Sequence, residues 1–597
     1  MSVTDFLAGK RQIPSITWFV HLLGLKNFET MPAELYGNWL IFITLLIDSL
    51  HPSPQDNLKY DSVFIRAVLP RTSATMLQTL HDFDLQYQPN MLWPVGLFHA
   101  YETVQFEPLA VADKIALLQQ FHPISPALQL WQQLQFMLLG AGNADINTFT
   151  RLFRELPFLQ QNMVYSQLMR SSFVGKAIGL DLAPFYRLTI ESFCRENAER
   201  CTVQPLQGNG NEEFAVFITN QFVSSMHGPT LTVLNYASAL KQIGMHPIVI
   251  CTTSVAKSTH LVYPMPTPIF FGTVRNEYFS SNTLFDLDQG HQQPNPAGSA
   301  VQCWGQQFDF MQTTPMDDPA HLVDLVNFIN QLNPRFIIGV GGLNPVLEFI
   351  AKARPVLSVP CVTSLVLPIY AVPVLHRELT TADQQRIDSL GIQHPVLSSR
   401  LPFRLRQFDA VKSSRVDDKV LKFVVVGYRL EDEIRGEFMQ TMLAIKQHYP
   451  LATFILVGPS AIADYPTVLQ QCSYLTGRIS NAIDLIATCH FMLNPKRQGG
   501  GTSAVEALSL GIPVLTQAYG DVYQYIGDPF VFETDEQRLA FIQQYLTDPE
   551  FAAAYHDICL ETAAQATDTA AIVQELLLTY DAYLQQLQYE NGSELMA

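Results

Sequence analysis

Charge is scarce in this chain: Asp, Glu, Lys and Arg make up only 15% of its 597 residues, against 48% hydrophobic ones, and mean hydropathy is +0.11. So little charge excludes a disordered polyelectrolyte and suits a large, well-buried globular protein. The charge that is present is mostly acidic, 54 residues against 36 basic ones for a net −18, which sets long-range repulsion against a nucleic acid partner. The eight cysteines include no CxxC pair and no His/Cys ligand spacing. Neither a disulfide scaffold nor a zinc site is indicated, and reduced, buried thiols are expected. Missing too is an apolar run of the roughly 20 residues that span a bilayer, and the opening "MSVTDFLAGKRQIP" lacks the charged-then-apolar build of a signal peptide. A cytoplasmic location without a membrane span is the expectation.

A chain of this length needs several cores rather than one. From Met1 to about Cys201, "GNWLIFITLLIDSL", "ADKIALLQQF", "PALQLWQQLQFMLLGA" and "INTFTRLFRELPFLQQNMVYSQLM" repeat apolar residues every three or four positions. This pattern predicts an all-helical domain over 1–205, with no convincing internal repeat. After the polar linker "VQPLQGNGNEE" the period changes. "FAVFITNQF", "HPIVICTT", "RFIIGVGG" and "VPCVTSLV" read as strands, with helices such as "PTLTVLNYASALKQIG" and "HLVDLVNFINQLN" between some of them. A second series runs through "KFVVVGYRL", "ATFILVGP", "HFMLNP" and "IPVLTQA", and "DTAAIVQELLLTYDAYLQQLQ" reads as a closing helix. The predicted class is α/β, with two Rossmann-like domains over 213–410 and 420–575 behind the helical one, and a closing helix and tail over 576–597. Ligands belong at the carboxyl ends of such strands.

One stretch concentrates the chemistry: "NPKRQGGGTSAVEALSLGIPVLT", Asn494 to Thr516. A strand ends at a proline-marked turn, glycines follow, and a helix runs to Gly511. Gly499, Gly500 and Gly501 let backbone N–H groups approach a ligand, Thr502 or Ser503 can cap the helix, and the helix dipole favours an anion. Lys496 and Arg497 add full positive charge. Together these residues describe a diphosphate site, with Glu506 about one turn inside the helix, where its carboxylate can accept hydrogen bonds from ribose hydroxyls. The plainer alternative is a tight glycine turn followed by a solvated Glu506. The Lys precedes the glycines, so the loop is not the phosphate loop of ATPases.

The segment resembles the C-terminal motif of GT-B fold glycosyltransferases of the family-4-like group, closest in "EALSLGIPVL". The first Glu of that group's E-x7-E pair, which touches the donor sugar, falls here on Gln498, an uncharged residue that still hydrogen-bonds hydroxyls. "VVVGYRLEDEIRGEF" is similar to the group's first-strand loop, with Arg429 on its Arg, Glu433 on its Glu and Arg435 one place beyond its Lys. The resemblance implies that Arg429 and Arg435 clamp the diphosphate from the other side; a salt-bridged helix start at Glu431 and Glu433 is the alternative. "YLTGRISNAIDLI" resembles the base-holding segment, which implies that Thr476, Gly477, Arg478 and Ile479 line a nucleobase pocket, here a uridine one.

The first Rossmann-like half is implied to carry the acceptor. Its first strand runs into "VSSMHGPTLTV", where Gly228 permits close approach, Pro229 suits a first helical turn and His227 points into the cleft, as a base if configuration is inverted. Asn344, in the second glycine-bearing corner "GVGGLNPVLEFI", can face the acceptor or the transferred sugar. The resemblance implies catalysis without metal: His227, Arg429 and Lys496 carry the chemistry, while cations and amides stabilise the departing nucleoside diphosphate. Asp417 and Asp418 read as solvated. No cofactor is implied beyond the donor itself, a UDP-linked sugar, and the hexose or N-acetylhexosamine goes to a saccharide or lipid-linked acceptor.

Two other readings stand beside this one. The layout is also similar to that of the HMW1C-like bacterial protein glycosyltransferases, which implies a protein acceptor of adhesin type modified at Asn or Ser/Thr, although the corner "NPKRQGGGTSA" departs from their loop. GT-B-like chains also serve as non-catalytic acceptor-binding partners, whose mark is a degraded donor loop. Oligomer contacts, if present, are expected in the helical domain.

Overall fold

A computed structural model describes residues 109–594 apart from 121–125, 141, 159–160, 163, 166–167, 170–180, 221, 223–226, 253–281, 314, 316–318, 342–343, 406–419, 428, 459–464, 478 and 480. The helix expected at "GNWLIFITLLIDSL" lies outside them. The described residues fall into two compact units, one holding the helices before Thr202 and one holding both sheets.

In the first unit the helices are α1 (Val111–Gln120), α2 (Pro126–Leu138), α3 (Ile146–Glu155) and α4 (Ala183–Asn197). Asp145 caps α3, accepting from the N–H groups of Asn147 and Thr148, so one polar residue satisfies two donors that have no intrahelical partner. Phe149, Phe153 and Phe185 form a buried aromatic cluster with ring centroids 5.2 to 6.0 Å apart. It is the packing that the three- and four-residue apolar spacing demands.

The second unit opens with β1 (Asn211–Thr219), α5 (Gly228–Gln242), β2 (His246–Thr252), β3 (Thr283–Asp286), β4 (His291–Pro294), β5 (Ala300–Cys303) and β6 (Gln306–Thr313). Then come α6 (Pro319–Leu332), β7 (Pro334–Val340), α7 (Pro345–Ala351), β8 (Leu357–Val359), β9 (Val372–Leu375), α8 (Thr381–Leu390) and β10 (Leu397–Ser398). The strands make one ten-stranded sheet ordered β10-β9-β8-β7-β1-β2-β6-β5-β3-β4. From β10 to β6 every pairing is parallel; β5/β6 and β3/β4 are antiparallel. Numbered along the chain, the parallel part reads 3-2-1-4-5-6-7, the doubly wound order with its reversal between β1 and β7. Both faces of those central strands are covered, and "AVFIT" and "FIIGV" are accordingly buried without alternation.

The second sheet is built from β11 (Lys422–Val426), α9 (Leu430–Glu433), α10 (Gly436–His448), β12 (Thr453–Val457), α11 (Thr467–Cys472), β13 (Ser473–Gly477), α12 (Ile483–Ile486), β14 (Phe491–Leu493), α13 (Gly501–Ser509) and β15 (Val514–Leu515). Helices α14 (Gly520–Ile526), α15 (Asp535–Thr547), α16 (Pro549–Thr567) and α17 (Thr569–Glu594) complete the chain. All five strands are parallel in the order β13-β12-β11-β14-β15. This is again 3-2-1-4-5, with the reversal between β11 and β14. Two Rossmann-like sheets in tandem are the GT-B architecture.

One expectation needs correction. "VPCVTSLV" is not a strand: only Val359 belongs to β8, because Pro360 has no N–H to extend the ladder. The edge strand β13 and the mixed extension β3–β6 carry little signal in the sequence. Edge strands lack the continuous apolar run of a buried strand, and β13 exposes Tyr474 while β4 is exposed throughout. The closing helix expected at "DTAAIVQELLLTYDAYLQQLQ" is α17, and it packs on α5 of the first sheet. Tyr580 lies against Phe336, and Asp581 pairs with Arg335 at 3.0 Å, so the closing helix belongs with the first sheet's core.

Candidate functional site

The rule for doubly wound sheets places ligands outside the carboxyl ends of the strands, at the reversal of strand order. In the second sheet that point lies between the loop after β11 and the loop after β14, which carry Arg429 and the segment Asn494–Gly500. The two loops are tied together. Arg429 donates through Nη2 to the Gln498 carbonyl at 2.9 Å and pairs through Nε with Glu433 at 3.3 Å. Arg497 donates to Glu433 Oε2 at 2.8 Å, to the Val426 carbonyl at 2.6 Å and to Asn494 Oδ1 at 3.2 Å. Glu433 therefore sits between two guanidinium groups.

Arg497 differs from its expected role. Its side chain is only 6% exposed, and burial pushes its pKa down while Glu433 opposes the shift. All three of its nitrogens donate within the protein, so it fastens β11 to the glycine loop instead of presenting charge to a diphosphate. Two glycines serve it. A Cβ at Gly427 or at Gly500 would run into the guanidinium, so the glycines here make room for an arginine as well as for a ligand.

Gly499 and Gly500 have φ of 94° and 90°, the left-handed region that favours glycine. Gly500 is the residue that caps α13, with no side-chain cap bond. Thr502 and Ser503, expected as caps, lie inside the helix, and Ser503 Oγ donates back to the Gly500 carbonyl at 3.1 Å. The first-turn N–H groups of α13, which have no intrahelical acceptor, are left without a capping side chain. Glu506 is 1% exposed, which excludes the solvated alternative. Exposed Lys496 lies over the Tyr519 ring at 5.3 Å, and Arg435, the residue just before α10, donates to the Glu431 carbonyl at 3.1 Å. Of the implied base-pocket residues, Thr476 and Gly477 end β13, the Thr476 hydroxyl donating to the Gly477 carbonyl at 3.0 Å. Ile479 packs partly buried against the core. Arg478 lies outside the described residues.

In the first sheet the reversal lies between β1 and β7. His227 directly precedes α5, half-buried, its Nδ1 3.2 Å from Thr230 Oγ1, and burial pushes its pKa down to about 4. The ring is neutral at neutral pH. Gly228 is exposed with open space where a Cβ would stand. Asn344 caps α7, its Oδ1 accepting from the Val346 and Leu347 N–H groups and its Nδ2 donating to Thr252 at 2.9 Å. A β7-to-helix corner with a proline at the first helical turn invites such a cap.

One residue that the sequence reading passed over belongs to the site. Asp521, at the start of α14 and 1% exposed, accepts from the Gly499 N–H through Oδ2 at 2.9 Å. Through Oδ1 it accepts from the Thr363 N–H and hydroxyl at 2.8 and 2.7 Å. "YGDVY" carries no pattern that marks it; its spacing to the glycine loop exists only in three dimensions.

No protein-family model matches the chain, and no curated protein does. Among solved structures it is similar to an O-GlcNAc transferase of Thermobaculum terrenum, at 12% identity over 92% of this chain and 98% of that one, with a TM-score of 0.46. It is also similar to a glycosyltransferase from Rickettsia africae, at 12% identity over 63% and 99% of the two chains with a TM-score of 0.41. The pneumococcal O-GlcNAc transferase GtfA, solved with UDP and GlcNAc, aligns at 9% identity over 63% and 100%, with a TM-score of 0.35. All three are glycosyltransferases. The two-sheet assignment itself rests on the strand order within each sheet.

Proposed function

We propose that this chain is a glycosyltransferase that binds a UDP-linked sugar at the β11/β14 reversal and passes the hexose or N-acetylhexosamine to a saccharide or lipid-linked acceptor held by the first sheet. The observation that supports this most is the uncapped start of α13 at that reversal, with Arg429 bonded to the same loop and Lys496 exposed beside it. An uncapped helix start with cations nearby is suited to a diphosphate. Glu506, inside the same helix, is assigned to the ribose hydroxyls, Gln498 to the sugar, and Thr476, Gly477 and Ile479 to the base. With phosphate charge met by cations and amides, leaving-group stabilisation needs no metal. His227, neutral and at the first sheet's reversal, is assigned as the base of an inverting displacement.

A second reading has its own observation. Arg497 is spent on Glu433 and the Gly499 N–H on Asp521, so two groups expected at the diphosphate serve the protein instead, as in a non-catalytic acceptor-binding partner. Incubating the protein with a panel of nucleotide sugars and following hydrolysis, with and without excess chelator, separates the two. Release of UDP that survives chelation supports the enzyme. Binding without turnover supports the partner, and mass spectrometry of glycans and peptides carried through the reaction identifies the acceptor.

A further inference from the structure

The segment from Pro360 to Ala371 has no regular secondary structure, yet charged or polar side chains hold it near both ends. The His376 ring nitrogen Nε2 is 2.9 Å from the Pro360 carbonyl. Arg377, bidentate to Asp383, donates to the Thr363 carbonyl at 2.9 Å. Glu348, buried in α7, accepts from the N–H groups of Ile369, Tyr370 and Ala371. Buried backbone groups of an irregular loop must find partners, and here Glu348 of α7 and the two residues that follow β9, His376 and Arg377, supply them. The loop is thereby a fixed part of the first sheet. One of its residues, Thr363, reaches Asp521 of the second sheet with both of its donors.

We infer that Asp521 is a positioning residue for the diphosphate: it holds the Gly499 amide, and with it the start of α13, in register with the first sheet through Thr363. This assignment rests on the reading of the β14–α13 corner as the diphosphate site. Two features beyond the hydrogen bonds support it. Gly520, at φ 71°, brings α14 so close that a Cβ there would run into the Arg497 carbonyl, so Asp521 is seated directly against the loop it holds. Gly499, also in the left-handed region, has open space where a Cβ would stand, and the Asp521 carboxylate holds its N–H. A loop of consecutive glycines has much conformational freedom to lose on binding. Asp521 removes part of that freedom in advance.

The test measures UDP and uridine affinities by calorimetry, together with amide hydrogen exchange of the peptide containing Gly499, in wild type, Asp521→Asn, Thr363→Val and Thr363→Ser. In Asp521→Asn the side-chain amide presents a donor where Gly499 or Thr363 also presents one. The expected result is faster exchange across the glycine loop and UDP affinity lowered about tenfold, the effect of one charged hydrogen bond, with uridine affinity unchanged. Thr363→Val, distant in sequence from the loop, should lower UDP affinity about threefold, and Thr363→Ser should restore it. Equal losses of UDP and uridine would mark a merely structural residue and overturn the assignment. So would wild-type UDP affinity in both Asp521→Asn and Thr363→Val. A wild type that binds neither ligand overturns the functional reading and this assignment with it, whereas failure confined to the variants overturns the assignment alone.

Discussion

The two sheets repeat one topology, and their equivalent corners are finished in opposite ways, one capped by a side chain and the other not. Each sheet's fourth parallel strand, β7 or β14, feeds a helix at the point where strand order reverses. In each corner an asparagine bonds a threonine of another strand or its extension, Asn344 to Thr252 of β2 and Asn494 to Thr516 just after β15. After β7 the connection is short, residues 341–344, and its last residue, Asn344, closes the helix start with its side-chain oxygen. After β14 it runs over 494–500 and ends on a left-handed glycine that closes nothing. The difference teaches that a glycine-bearing strand-to-helix corner is not in itself an anion site. A side-chain cap uses the same amides an anion would use, so only the uncapped corner is available.

The largest effect that would sharpen this comparison comes from Arg497→Met. The substitution takes one of the two guanidinium partners from nearly buried Glu433 and the Arg497 donor from the Val426 carbonyl, and should cost about 3–5 kcal/mol of stability in denaturant unfolding. The short corner has no such keystone among its described residues. Next is Glu506→Ala, which should weaken UDP and uridine alike by about 1.5–3 kcal/mol, because the carboxylate is assigned to the ribose they share. Smaller again is Thr502→Glu. A carboxylate in the first turn of α13 should raise stability by about 0.3–1 kcal/mol through the helix dipole while lowering UDP affinity about tenfold and sparing uridine. Opposite signs for folding and binding would be hard to obtain if the corner were only structural. The smallest is Asn344→Ala, which should cost about 1 kcal/mol of stability as a lost cap and leave UDP affinity unchanged. A loss of UDP binding there would break the contrast between the corners.

Much of this arrangement was legible in the sequence, for a physical reason. Buried parallel strands are apolar on both faces, so "FAVFITNQF", "RFIIGVGG" and "KFVVVGYRL" announce themselves, and the glycine corner is marked by residues that need left-handed backbone. What stayed hidden depends on distance rather than type. Arg497 and Lys496 are adjacent cations in the sequence, but the backbone turns one into the interior onto Glu433 and leaves the other exposed over Tyr519. Asn344 reads equally well as a ligand contact or a cap until the Val346 and Leu347 amides are seen beneath it. Asp521 gives no local signal, since its partners lie 22 and 158 residues away in the chain.

Titration calorimetry of the full-length chain with UDP and with uridine, at low and at high salt, bears most directly on the claim that the uncapped β14–α13 corner takes a diphosphate. UDP should bind at least about tenfold more tightly than uridine, through charge-assisted contacts, and the margin should narrow as salt screens the exposed cations. Equal affinities for the two, or a margin indifferent to salt, would contradict it.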